Sequence, residues 1–69
     1  MNKEPKLIQK YTVDSYHHTK IVSIYLCVDS EGFGYYEAVG QYQGVDAGPG
    51  ANWQNDDLYT IIKEVKEWL

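Results

Sequence analysis

The chain holds one cysteine, Cys27, among its 69 residues, so no internal disulfide can staple it. A lone thiol inside an apolar run fits a reducing compartment. It reads as a small apolar strand residue rather than a nucleophile, because no base lies beside it in sequence. No stretch is long and apolar enough to read as a membrane span. Met1–Lys10 lacks an apolar core followed by small residues, so no secretion signal is read and the expected location is cytoplasmic. Positive charge is scarce: six Lys stand against ten Asp and Glu, for a formal net charge of −4. That balance repels phosphate and argues against nucleic acid as a partner. The two signs are interspersed, so the acidity serves solubility rather than nucleic-acid mimicry. There is no internal repeat and no low-complexity segment.

What is present is tyrosine. Aromatics make up 14% of the chain, and seven of them are Tyr, a residue with an apolar body and a polar tip that suits half-buried surfaces and interfaces. A chain this short is one domain, residues 1–69, and buries only about 60% of its unfolded surface. Without staples or a metal, self-association is the remaining support, and a homodimer is expected.

Residues 1–5 are polar and read as a flexible end. Lys6–Val13 has strand composition, with Leu7, Tyr11 and Val13 on one face and lysines guarding an edge. Asp14–Thr19 is a polar connector. Lys20–Asp29 is the clearest strand, β-branched and free of Gly and Pro. Val22, Ile24, Leu26 and Val28 point one way, and Ile21, Ser23, Tyr25 and Cys27 the other. Ser30–Gly32 suits a three-residue hairpin loop with Gly32 in the left-handed position. Phe33–Gln43 follows as a third strand. With that loop, Asp29 faces Phe33, Leu26 faces Tyr36, Ile24 faces Ala38 and Val22 faces Gly40. A slip by one residue would oppose Leu26 and Glu37. Ala38 and Gly40 leave a trough in which a helix can lie close.

That helix is Asn55–Leu69. Leu58, Ile61, Ile62, Val65, Trp68 and Leu69 form one apolar stripe at helical spacing. Asn55 serves as N-cap, with Asp56 and Asp57 in the first turn. The fold class is therefore α+β: a three-stranded antiparallel β-meander with one C-terminal α-helix packed on one face, βββα.

Gly44–Trp53 is the most unusual stretch. Glycines before a helix suggest a phosphate cradle, but the lysine and hydroxyl of a P-loop are missing. Asp56 and Asp57 would each cost an anion about 4 kcal/mol at ~4 Å and an effective dielectric near 20, against a dipole attraction of about 1 kcal/mol. Asp46, Asn52, Asn55, Asp56 and Asp57 offer oxygen to a cation, but not at EF-hand spacing. Gly44–Asn52 reads first as a connector, though nine irregular residues are long for one in so small a domain, and Trp53 beside it has no regular element to bury it.

His17 and His18 are adjacent, so their rings diverge, and no second Cys or His cluster completes a metal site. No metal or cofactor is expected. The carboxylates are scattered and no catalytic set is visible, so the chain does not read as an enzyme.

One helix covers one sheet face. The reverse face then exposes Ile21, Tyr25, Cys27, Tyr35 and Val39, with Gln41 at its rim, a cluster of the kind that marks interfaces. The function expected is a small acidic non-enzymatic interaction module. It binds a protein partner through Ile21, Tyr25, Tyr35 and Val39, with Trp53 of the loop contributing. In size and charge, though in no motif, it is similar to the inhibitors and adaptors that phages and mobile elements encode. The alternative is a small-ligand binder using Asp46, Asn52 and Trp53 at a cleft or subunit interface.

Overall fold

The computed structural model describes residues 4–69. Residues 1–3 of the end expected to be flexible lie outside them, and Glu4 and Pro5 precede the first strand without regular structure. The elements run β1 (Lys6–Asp14), β2 (His18–Val28), β3 (Gly34–Gly44), β4 (Ala51–Asn55) and α1 (Leu58–Trp68). The strands form one antiparallel sheet in the order β1-β2-β3-β4, and α1 packs on β3 and β4. The α+β class with a C-terminal helix stands.

The count of three strands is corrected to four. Ala51–Asn55 pairs with β3, Ala38 opposite Trp53 and Gly40 opposite Ala51. Asn and Ala have low strand propensity, so this strand is made by its ladder and not by its own composition. It also supplies the regular element that Trp53 lacked on the sequence reading.

The β2–β3 register is the one the loop length dictates: Leu26 opposite Tyr36, Ile24 opposite Ala38, Val22 opposite Gly40. The Asp29 amide donates to the Phe33 carbonyl at 2.9 Å and Gly32 sits at φ +92°. The β1–β2 pairing differs from expectation. Gln9 faces Ile24 but Leu7 faces Tyr25, so Ile8 is an extra residue, a bulge. One inserted residue reverses every side chain beyond it. Leu7 therefore lies on the face opposite Tyr11 and Val13, correcting their assignment to one face.

Val22, Ile24, Ala38, Ile61 and Val65 are fully buried, ringed by Tyr11, Tyr36, Trp53, Leu58, Ile62, Trp68 and Leu69. Gly40 admits the helix: a Cβ there would stand 3.1 Å from two ring carbons of Trp68 and 3.3 Å from the Ala51 carbonyl oxygen. The Trp68 ring also meets Trp53 edge-on at 5.6 Å and Tyr42 at 6.0 Å. Lys20 closes this end. Its Nζ donates to the Trp68 carbonyl at 2.8 Å and lies about 5 Å over both the Tyr42 and Trp68 rings, placing a cation where the helix dipole is negative.

The helix starts later than the stripe suggested. Asp57, not Asn55, is the N-cap; its carboxylate accepts from the Tyr59 amide at 3.3 Å and the Thr60 hydroxyl at 2.7 Å. Asn55 ends β4 and its Oδ1 accepts from the Asp57 amide at 2.8 Å. With Asn55 held in the ladder, the next good cap is used, and the first turn carries no acid.

Candidate protein-binding face

Pairing across the ladders lays out the sheet face away from α1 in rows. Leu7, Tyr25, Glu37 and Gln54 share one row; Cys27 and Tyr35 share the next toward the hairpin. On the other side come Lys10, Ser23, Val39 and Asn52, then Thr12, Ile21 and Gln41. Ile21, Tyr25, Tyr35 and Val39 are thus brought to one face, all half-buried. No described element covers it, because the one described helix packs on the other side.

The face is not uniformly apolar. Ser23, Glu37, Gln54 and Lys10 separate its apolar groups, which concentrate toward the β2–β3 hairpin: Leu7 at 50% exposure, Tyr25, Tyr35 and then Phe33 at 67%. On the helix side of the same hairpin Leu26 and Val28 also remain exposed. Asp29 fixes the loop that presents Phe33, its Oδ1 accepting from the amides of Glu31 and Phe33, both at 2.9 Å. Beside it an open groove of ≈ 640 Å³ runs past Asp29, Phe33, Tyr35, Gln54 and Asp56.

The acidity of Tyr35 is shifted by its surroundings. Desolvation, followed by its neighbours Cys27 and Glu37, raises its phenol above the ordinary 10.0. Its hydroxyl both donates and accepts hydrogen bonds, which suits a contact surface.

Sequence reasoning missed Leu7, Phe33 and Glu37. Leu7 is turned onto this face by the bulge, which has no mark in the sequence. Phe33 and Glu37 were legible from hairpin register: the pairing that sets Leu26 against Tyr36 sets Tyr25 against Glu37.

Trp53, expected to contribute to the contact surface, lies on the helix side of β4, packed against Trp68 and the core. The ligand set Asp46, Asn52 and Trp53 is not assembled. Asn52 and Trp53 are neighbours on a strand and point to opposite faces, and Asp46 lies exposed in the turn after β3. The glycines of that loop have packing reasons. Gly44 has φ +123°, and a Cβ there would collide with the His17 carbonyl oxygen. A Cβ at Gly50 would meet the Gly40 carbonyl oxygen at 2.5 Å.

Cys27 is 6% exposed, and His18 is at the far end of the same strand, nine residues and about 30 Å away. His17 stacks edge-on against Tyr16 at 4.3 Å, while His18 packs on Tyr42 at 5.0 Å, so the two rings part. Among the described residues no three His, Cys, Asp or Glu side chains converge in a way that would hold a metal ion, and no helix is long and apolar enough to cross a membrane. No family model, curated protein or solved structure matches the chain.

Proposed function

We propose that the chain is a non-enzymatic protein-binding module that holds a larger partner, as an inhibitor or adaptor, through the uncovered sheet face. Leu7, Tyr25, Tyr35 and Phe33 form the centre of contact at the hairpin end, with Ile21 and Val39 extending it. The observation that supports this is the one-sided position of α1. It satisfies the face bearing Val22 and Ile24 and leaves a second face of tyrosine and β-branched groups in water. Exposed clusters rich in tyrosine and β-branched groups, here gathered toward the hairpin end, are a mark of protein interfaces. Half-buried tyrosines lose little conformational freedom on contact and carry a hydroxyl to satisfy.

The test compares capture from the source cell by the parent, Phe33→Glu and Tyr25→Lys. Phe33 is in an exposed loop, and the lysine of Tyr25→Lys would face Glu37, so both variants keep the fold, checked by circular dichroism. The expected result is a partner band seen with the parent and lost with both variants. Equal capture of the same protein by all three overturns the proposal.

A further inference from the structure

We infer that the free edge of β1 is a self-association seam, at which a second copy of this chain adds its own β1 antiparallel about a two-fold axis at Thr12. β1 and β4 are the edges of the sheet. β4 has five residues and runs directly into the turn before α1, which blunts it. β1 has nine.

Which β1 amides face outward follows from the ladder. Ser15 donates to the His18 carbonyl at 2.8 Å, in register with the β1–β2 pairing. Hydrogen-bonded positions alternate along an antiparallel strand, so Gln9, Tyr11 and Val13 bond to β2. Lys10, Thr12 and Asp14 turn their N–H and C=O groups away from the sheet. Only registers that oppose residues of this second set can form. Opposing Lys10 with Lys10 sets like charges together, and opposing Lys10 with Thr12 pairs no charge. Centring on Thr12 puts Lys10 against the copy's Asp14 and Asp14 against the copy's Lys10.

The same register pairs Tyr11 with Val13 on the helix side. They fall at the non-hydrogen-bonded positions, where Cα atoms come to ~4.5 Å and side chains are closest. Val13 is exposed in the single chain and Tyr11 lines a groove of ≈ 420 Å³ with Tyr59, Ile62, Lys63 and Lys66. Tyr16, 94% exposed, comes level with the copy's exposed Ile8. Asp14 Oδ1 accepts from the Thr19 hydroxyl at 2.7 Å, leaving Oδ2 for the lysine. Lys10 guards the edge against a foreign strand; a copy answers it with Asp14. The contact is isologous, as a two-fold demands, and the two reverse faces join into one continuous surface. The seam is independent of the protein-binding reading, since it uses the edge and not the tyrosines.

A strand seam is smaller than a standard interface, so sedimentation velocity should run to about 500 µM. The parent is expected to show a concentration-dependent monomer–dimer equilibrium. Lys10→Glu and Asp14→Lys each create two like-charge pairs and weaken it roughly thirty-fold. The double variant exchanges the charges and restores it. Thr12→Cys, whose two Cα atoms would stand ~5.5 Å apart, cross-links to itself under mild oxidation; this readout serves if a charge variant misfolds. Tyr25→Lys dimerises like the parent, so the two proposals fail separately. A parent that stays monomeric to 500 µM, a swap that fails to restore association, or an absent Thr12→Cys cross-link overturns the seam.

Discussion

Gly40→Ala tests how α1 is seated on the sheet. One methyl group is added at a position where it would lie 3.1 Å from the Trp68 ring and 3.3 Å from the Ala51 carbonyl oxygen. Neither neighbour gives easily. The carbonyl belongs to the β3–β4 ladder, and the ring is held by Trp53, Tyr42 and Lys20. Overpacking of this kind costs about 1–3 kcal/mol. Alanine in a strand regains about 0.5–1 kcal/mol over glycine through the entropy of the unfolded chain. The net is a loss of about 1 kcal/mol, or a fall in Tm of about 4–8 °C for a domain of this size. The same change in a Trp68→Leu background meets no ring and keeps only the 3.3 Å approach to the Ala51 carbonyl oxygen, so the cost falls and the entropic gain offsets much of what is left. Thermal melts of the four proteins give the coupling, which is the ring's share of the overpacking cost and is expected to be about 1 kcal/mol. Equal effects of Gly40→Ala with and without Trp68 would refute the reasoning, because the clash and the close approach would then be absent.

Lys20→Met keeps the aliphatic stem but removes the ammonium that bonds the Trp68 carbonyl; a loss of about 1 kcal/mol is expected in urea melts. Gly44→Ala forces a Cβ onto the His17 carbonyl at φ +123°, and a loss of about 2 kcal/mol or more is expected. The raised Tyr35 phenol gives a pH dependence: desolvation disfavours its phenolate in the folded state. The folded state therefore holds this proton more tightly than the unfolded one. Stability from Tyr35 is complete below about pH 10 and declines as pH rises through its folded pKa. Tyr35→Phe should flatten that alkaline decline in melts taken above about pH 10, and ultraviolet titration of the phenols should lose one ionisation.

The parts of the fold legible in the sequence were those specified locally. β2 announces itself by a β-branched run, and a three-residue loop leaves only one register that keeps Leu26 off Glu37. The stripe from Leu58 to Leu69 names the buried face of α1, and Ile61 and Val65 are at its centre. The rest depends on partners distant in sequence. β4 has the composition of a loop and becomes a strand because β3 offers an unpaired edge. Asn55 loses its capping role to that same ladder. The bulge at Ile8 has neither Gly nor Pro to mark it, and it alone decides which way Leu7 points. Alternation along β2 and β3 suffices to put Ile21, Tyr25, Tyr35 and Val39 on the side away from α1. Trp53 could not be placed without β4.

The seating of Ile61 and Val65 against Val22, Ile24 and Ala38 also constrains the order of events during synthesis. The residues that close the interior emerge from the ribosome well after the strands they cover. Until then the nascent hairpins carry a bare oily surface, and a chaperone or a neighbouring nascent chain can reach it first. Tethering the chain at the exit tunnel at successive lengths should therefore show protease resistance only once Val65 has cleared it.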